Sequence, residues 1–214
     1  MSIDTAPAPP LERNWWLRAP AVLVAPRAVF ASLRDDSDEA VESRQDAIIA
    51  IAALAGISAM LATPTARQLL NDYQVTTVLI PVWAFFAGAL YAFLLWWAGG
   101  GLLFLGSRRL GGQGSWRRSR HVLGLAVAPL ALAMVTFWPI RILVYGTDLF
   151  RTGGDDYGRG DAVFGGIYVG ILAWCLLLLL HGVRTVHGWT WGRAAAAAAL
   201  AGVFPALVIA ASLL

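Results

Sequence analysis

Long uncharged runs alternate with short polar segments along most of this chain. Five runs are apolar and long enough to cross a bilayer as helices, since a helix rises 1.5 Å per residue and the hydrocarbon core is about 30 Å thick. The predicted spans cover residues 47–63, 81–105, 121–145, 162–183 and 194–214. The first run is short, so we expect its helix to begin somewhat earlier. The pattern predicts an all-α integral membrane protein, with a bundle of five transmembrane helices in a domain covering residues 47–214.

Residues 1–46 are predicted to form a cytoplasmic N-terminal tail with one amphipathic segment, at about 14–34. Pro26 suits the first position of a helix. Three apolar residues then share one helical face: Val29, Phe30 and Leu33. We expect this helix to lie on the cytoplasmic leaflet, because paired tryptophans precede it. The alternative is that its apolar face packs against the underside of the bundle.

An acidic stretch, residues 35–46, separates that segment from the first predicted span. It contains six carboxylates and one basic residue, Arg44. A run of like charges is most often solvated, so we expect a hydrated linker. Its spacing does not match a calcium-binding loop.

Arginine placement predicts the orientation of the spans. All 16 basic residues are arginine. If the spans alternate in direction, twelve arginines lie on one side of the membrane and four on the other. The twelve are five before the first span, five in loop 107–120 and two after the fourth span. Positive charge in short loops stays cytoplasmic. The N-terminus is therefore expected in the cytoplasm and the C-terminus outside a cell membrane that the chain crosses several times.

Glycine and proline mark special backbone positions. Gly111, Gly112 and Gly114 lie in the arginine-rich loop and indicate a tight reverse connection between two membrane helices. Pro129 lies near the middle of the third predicted span and should kink it. Residues 99–101 are three glycines, where we expect close helix packing rather than a hinge, and Gly166 and Gly170 have the spacing of a close-packing motif.

Composition narrows the function classes. The chain is 58% hydrophobic and 14% charged, which fits a membrane protein, and the absence of lysine-rich tails argues against a nucleic-acid partner. We recognise no catalytic motif and no metal-ligand spacing, so neither an enzyme nor a cofactor is expected. His121, His181 and His187 fall near membrane boundaries, where interfacial hydrogen bonding is the simplest interpretation. The single Cys175 lies within an apolar run and cannot form an intrachain disulfide.

Arg141 is the candidate intramembrane polar residue. Ionisable residues within spans are often functional. It follows His121 by 20 positions, about 30 Å along a helix, so it is expected near the external boundary, with Asp148 or Asp161 as its partner.

The chain resembles the Yip family of Ypt-interacting membrane proteins. The resemblance covers most of the sequence from about Trp15 and is carried by PRAVFASL, by LGGQGS between spans two and three, and by VLGLAVAPLAL reaching Pro129. Gly111, Gly112 and Pro129 are its most telling positions. The resemblance implies a cytoplasmic N-terminus, five spans and an external C-terminus. Eukaryotic members are associated with Rab-type GTPases and vesicle traffic. This chain resembles bacterial members, which largely lack an assigned role, so GTPase binding is not carried over.

These observations lead to two hypotheses for function. The first is a non-enzymatic scaffold or membrane-organising protein, whose partners are the bilayer and either a second copy or another membrane protein. The alternative is a transporter, channel or lipid-translocating subunit, with a pathway near Arg141 and bends at Pro129 and residues 99–101. The sequence identifies no small-molecule ligand.

Overall fold

The computed structural model describes residues 15–72, 74–154 and 159–211, and within these ranges its regular secondary structure is helical, without a strand. The proline-bearing tail of residues 1–10 lies outside the described residues. The α-helices of the described ranges are α1 (Trp15–Ala21), α2 (Pro26–Ser32), α3 (Asp38–Leu61), α4 (Leu79–Leu94), α5 (Gly100–Arg109), α6 (Trp116–Ala126), α7 (Ala128–Val135), α8 (Phe137–Tyr145), α9 (Arg159–His187) and α10 (Trp191–Ala211).

Four helical stretches are long and apolar enough to cross a membrane. They are Asp38–Leu61, Leu79–Arg109, Trp116–Phe150 and Arg159–His187, and they overlap the first four predicted spans. The fifth predicted span overlaps α10. A fifth crossing stays a prediction.

Two of these stretches are internally interrupted. A π-helical turn, Leu95–Gly99, joins α4 to α5. The third stretch breaks at Val127 and again at Thr136. Pro129 accounts for the first break, because its nitrogen cannot donate to the carbonyl of Leu125, one turn earlier. The kink predicted at this proline is therefore present.

The N-terminal apolar face packs into the protein. Val29, Phe30 and Leu33 are buried and belong to the largest hydrophobic cluster. A Cβ added at Gly182 of α9 would lie 2.8 Å from the Phe30 ring. The ring can pack against α9 there because glycine has no side chain. For this face the expected position on the leaflet is wrong, and the alternative, packing against the bundle, describes the structure.

Residues 38–46 of the acidic stretch form the first turns of α3 and are not a linker. Ser37 caps α3, and its hydroxyl accepts a hydrogen bond from the backbone N–H of Ala40 at 3.3 Å. Asp38 and Glu39 then lie in the first turn, where carboxylates interact favourably with the helix dipole. The first membrane helix thus begins nine positions before the predicted span. An earlier start was expected because the apolar run is short.

Helices α3 and α4 approach each other most closely at a pair of glycines. A Cβ at Gly56 would lie 2.3 Å from the carbonyl oxygen of Gly88, and one at Gly88 would lie 2.5 Å from the Cα of Ile57. Only glycine permits this separation. The contact fixes how the first two membrane helices cross.

Candidate functional site

Polar side chains gather at both ends of the helical bundle. One group, here called the Arg44 cluster, comprises Asp35, Asp36, Arg44, Arg118 and His121. It lies beside the loop 110–115 that joins α5 to α6. A second group, the Arg141 cluster, lies at the opposite end of α3 and of the α6–α8 stretch.

Arg44 is the centre of the first cluster. Its side chain is fully buried, at 0% exposure. Its Nε donates to Nδ1 of His121 at 2.9 Å, and its Nη1 donates to the backbone carbonyl of Asp35 at 2.8 Å. Its Nη2 lies 3.7 Å from a carboxylate oxygen of Asp36. One guanidinium therefore joins α3, α6 and the turn before α3.

Arg118 holds the same turn from the other side. Its Nη2 donates to the backbone carbonyl of Arg34 at 2.8 Å and lies 3.6 Å from Asp36. Arg34 in turn donates from Nη2 to the carbonyl of Thr185 in α9 at 2.6 Å. The carboxylate of Asp35 accepts from the backbone N–H of Ser37 at 3.1 Å, and this bond holds its pKa below the usual value. The chain between α2 and α3 is thus fixed to both α6 and α9.

A row of stacked side chains extends from His121 to the surface of the bundle. The rings of His121 and Trp96 are stacked with centroids 6.5 Å apart. The Arg120 guanidinium lies 4.5 Å from the Trp96 ring and 5.3 Å from the Trp116 ring. Trp116 meets Trp97 edge to face at 5.0 Å. Trp97 and Trp116 are 49% and 38% exposed, so the row reaches the outside.

Among the residues that the structure describes, the Arg141 cluster comprises Arg67, Arg141 and Asp161. Arg141 is buried and donates from Nη2 to Oδ1 of Asp161 at 2.9 Å. The same oxygen accepts from Arg67. The guanidinium of Arg141 also lies 5.7 Å from the Trp138 ring and 5.8 Å from the Phe164 ring. Asp161 is one of the two partners expected for Arg141, and it ties α8 to α9 and to the segment after α3.

The loop glycines close α5 with a defined cap. Gly111 has a positive φ of 79°, which favours glycine. Its N–H donates to the carbonyl of Arg108 at 3.0 Å, and that of Gly112 donates to Ser107 at 2.8 Å. These two bonds form a Schellman motif. A Cβ at Gly112 would lie 2.9 Å from Trp189, and one at Gly114 would lie 3.2 Å from His187. Both glycines therefore leave room for the end of α9 and the residues after it.

The five residues selected from the sequence do not form one site. The three loop glycines lie together, Pro129 lies in the first turn of α7, and Arg141 lies at the far end of the bundle. Pro129 is fully buried. The residues that sequence reasoning missed are Arg44, Arg120 and Trp96. The available signal was a single arginine within the acidic stretch, just ahead of an apolar run.

The three histidines do not converge on a metal site. His121 accepts from Arg44, His181 packs against Trp191, and His187 stacks on Trp189 with centroids 4.4 Å apart. In the ranges that the structure describes, no group of three histidine, cysteine or acidic side chains could hold a metal ion.

An apolar cavity of about 460 Å³ lies between the membrane helices. It runs along α3 from Ala52 to Met60, about 12 Å at 1.5 Å per residue, and continues to Pro64 beyond the end of the helix. Trp96 of the π-helical turn lines it, as do Gly124 of α6 and Leu172 of α9. Leu172 is 44% exposed, so the cavity borders the outside of the bundle beside α9.

The model of the Yip1 domain matches residues 21–213. The chain belongs to the Yip1 family. No curated protein and no solved structure matches it. Both polar clusters, the cavity and the loop glycines lie within the Yip1 domain, which is helical, apolar and typical of a multi-pass membrane protein. The resemblance noted in the sequence is confirmed.

Proposed function

We propose that this Yip1-family protein is a non-enzymatic scaffold of the cell membrane, which holds partner membrane proteins or a second copy of itself. In this proposal the chain crosses the bilayer five times, with its N-terminus in the cytoplasm and its C-terminus outside. The partners are membrane helices rather than nucleic acid or a soluble substrate. The Yip1 family is a family of non-enzymatic membrane proteins, which supports this choice.

The observation that carries the proposal is the outward face of α9. Only 11% of its most apolar 18 residues are buried inside the chain. Gly166 and Gly170 lie at the centre of the outward face, and a side chain added at either would meet no atom within 4 Å. Small residues four apart let the backbone of a second helix approach closely, where packing and weak hydrogen bonds favour association. This face therefore suits another membrane helix.

The test compares complexes formed by variants of α9. Wild-type protein should be crosslinked in native membranes, purified in detergent and resolved by mass. The doubly substituted Gly166→Leu, Gly170→Leu protein is expected to lose the partner or the second copy. Gly165→Leu is the matched control, because Gly165 also faces open space but lies about 100° around the helix. A solitary wild-type monomer, or a complex that survives the double substitution, contradicts the proposal.

Orientation has its own test. In a Cys175→Ala background, cysteines introduced as Gln113→Cys and Leu214→Cys should react with a membrane-impermeant reagent from opposite sides. The excess of arginine before the first span, in loop 107–120 and after the fourth span supports this expectation. Reaction of both positions from the same side contradicts the five-span arrangement.

A further inference from the structure

Arg120 is a cation without an anion among the residues that the structure describes. It is partly buried, and no carboxylate lies within 4.0 Å of its guanidinium in those ranges. Its Nε is shielded from solvent and makes no hydrogen bond there. Removing a charge from water costs several kcal/mol unless it is paired. A negatively charged group from outside the chain could pair with the guanidinium and accept its hydrogen bonds.

The position of Arg120 limits the source of that group. It lies one turn into α6, about 6 Å from the start of the helix at Trp116. Trp116 packs against its guanidinium and Trp97 packs against Trp116. Both tryptophans are exposed, as is Leu105 of α5. Tryptophans with an apolar surface on one side and a polar loop on the other are typical of headgroup depth in a bilayer. Phosphate is the anion found at that depth, and a guanidinium fork matches its geometry.

Trp96 connects this cation to the apolar cavity. One face of its ring receives the Arg120 guanidinium, and the residue also lines the cavity. Its Nε1 is buried and makes no hydrogen bond in the described part of the chain. A Cβ at Gly124 would lie 3.4 Å from this nitrogen. Since Gly124 lines the cavity too, an unused donor lies at the cavity wall, at the end near Arg120.

The cavity itself has the shape and chemistry of a site for a hydrocarbon chain. Its volume is in the range of roughly 300–1,000 Å³ that ligand sites occupy. It is lined along α3 by small or apolar residues one helical turn apart, Ala52, Ala55 and Ala59, and extends toward Pro64. It therefore points from headgroup depth toward the middle of the membrane and beyond.

The geometry points to a bound phospholipid, with its phosphate on Arg120, an ester oxygen at Trp96 and one acyl chain in the cavity along α3. The lipid comes from the leaflet that borders loop 110–115. This inference is independent of the scaffold role proposed above, because it rests on Arg120, Trp96 and the cavity, and not on Gly166 and Gly170 of α9.

The test uses the full chain in detergent and three probes, with binding read by native mass spectrometry. Phosphatidylglycerol carries both the phosphate and the acyl chains. Diacylglycerol with the same chains lacks the phosphate, and glycerol phosphate lacks the chains. Phosphatidylglycerol is expected to bind at least about tenfold more tightly than diacylglycerol, since hydrogen bonds to charged groups contribute that much or more. Glycerol phosphate is expected not to compete.

Variants assign the two parts of the lipid. Arg120→Gln should reduce phosphatidylglycerol binding to the level of diacylglycerol, and Arg109→Gln, an exposed arginine next to the same loop, should not change it. Ala59→Phe should fill the cavity and weaken both lipids. Arg120→Lys, which keeps the charge but loses the planar fork, should give intermediate affinity. It also provides a test if the glutamine variant does not fold.

Three results would overturn the inference. If the wild type binds phosphatidylglycerol and diacylglycerol with equal affinity, the protein makes no favourable contact with the phosphate. Unchanged phosphatidylglycerol binding by Arg120→Gln assigns the phosphate elsewhere. Unchanged binding of both lipids by a folded Ala59→Phe protein excludes a chain in the cavity.

Discussion

Nε of Arg44 donates a hydrogen bond of 2.9 Å to Nδ1 of His121, which joins α3 to α6 across 77 positions of sequence. A guanidinium can only donate, so Nδ1 of His121 must be unprotonated and its single proton lies on Nε2. The histidine is neutral while this bond exists. Because Arg44 also binds the turn before α3, the bond links the N-terminal segment to the core of the bundle.

Removal of Arg44 should be strongly destabilising. Arg44→Met would leave His121 and the carbonyl of Asp35 without their donor, and Asp36 with one arginine instead of two. Breaking a buried charged pair on one side costs about 3–5 kcal/mol. We expect the free energy of unfolding to fall by an amount of this order, measured by denaturant titration in mixed micelles. Arg117→Gln is the control, because its ion pair with Asp38 is exposed and its loss should not be measurable.

The two partners should also be energetically coupled. His121→Leu alone leaves a buried arginine donor unpaired, whereas Arg44→Met together with His121→Leu replaces both polar groups. We expect the double variant to be more stable than the sum of the single effects allows, by about 0.5–3 kcal/mol. A double-mutant cycle measures this difference. Strict additivity would show that the hydrogen bond contributes nothing beyond its separate partners.

The glycine pair between α3 and α4 should not accept a methyl group. Gly56→Ala would place a Cβ 2.3 Å from the carbonyl oxygen of Gly88, and the helices would have to separate. We expect a loss of about 1–3 kcal/mol, as for other overpacked interiors, seen as a lower melting temperature. Gly165→Ala on α9 meets open space and should leave the melting temperature unchanged or slightly higher. Equal effects at both glycines would contradict the close crossing.

The cap after α5 should distinguish alanine from asparagine. Gly111 adopts a φ of 79°, a region that costs a residue with an ordinary side chain about 1–2 kcal/mol. Gly111→Ala is expected to destabilise the protein by about that amount, and Gly111→Asn by less, because asparagine visits this region more readily. Thermal unfolding of the two variants measures the difference. A tolerated alanine would mean that the loop does not depend on this cap.

Asp161 should contribute more to stability than Asp148. Asp161→Asn removes the charge that Arg67 and Arg141 share, and hydrogen bonds to charged groups contribute about 1.5–3 kcal/mol. We expect a loss of that order in the free energy of unfolding. Asp148→Asn, at the other carboxylate considered as a partner for Arg141, is expected to be neutral. A larger loss of stability for Asp148→Asn than for Asp161→Asn would contradict the pairing of Arg141 with Asp161.

Much of this architecture is predictable from hydrophobic length alone. Spans one to four overlap observed helices because apolar runs of at least 17 residues leave few alternatives. The kink at Pro129 follows from a missing backbone donor. One of the two carboxylates expected to pair with Arg141, Asp161, does so. These features depend on local chemistry or on one-dimensional distance.

Other features depend on which surface faces which, and a sequence does not contain that information. The face of Val29, Phe30 and Leu33 is equally apolar toward lipid and toward protein, and the choice was decided by the space above Gly182. The sequence places Arg44 in a charged run that is expected to be solvated. Its burial becomes evident only when α6 brings His121 beside it.

The π-helical turn from Leu95 to Gly99 sets which way the side chains of α5 face in the second membrane helix. Its wider winding inserts one residue relative to an α-helix, and deletion of that residue would rotate α5 by about 100°. Gly100 would turn away from Arg120, and Gly106 away from Leu200. Insertions and deletions should therefore be tolerated in the loops of this protein far more readily than within this single turn.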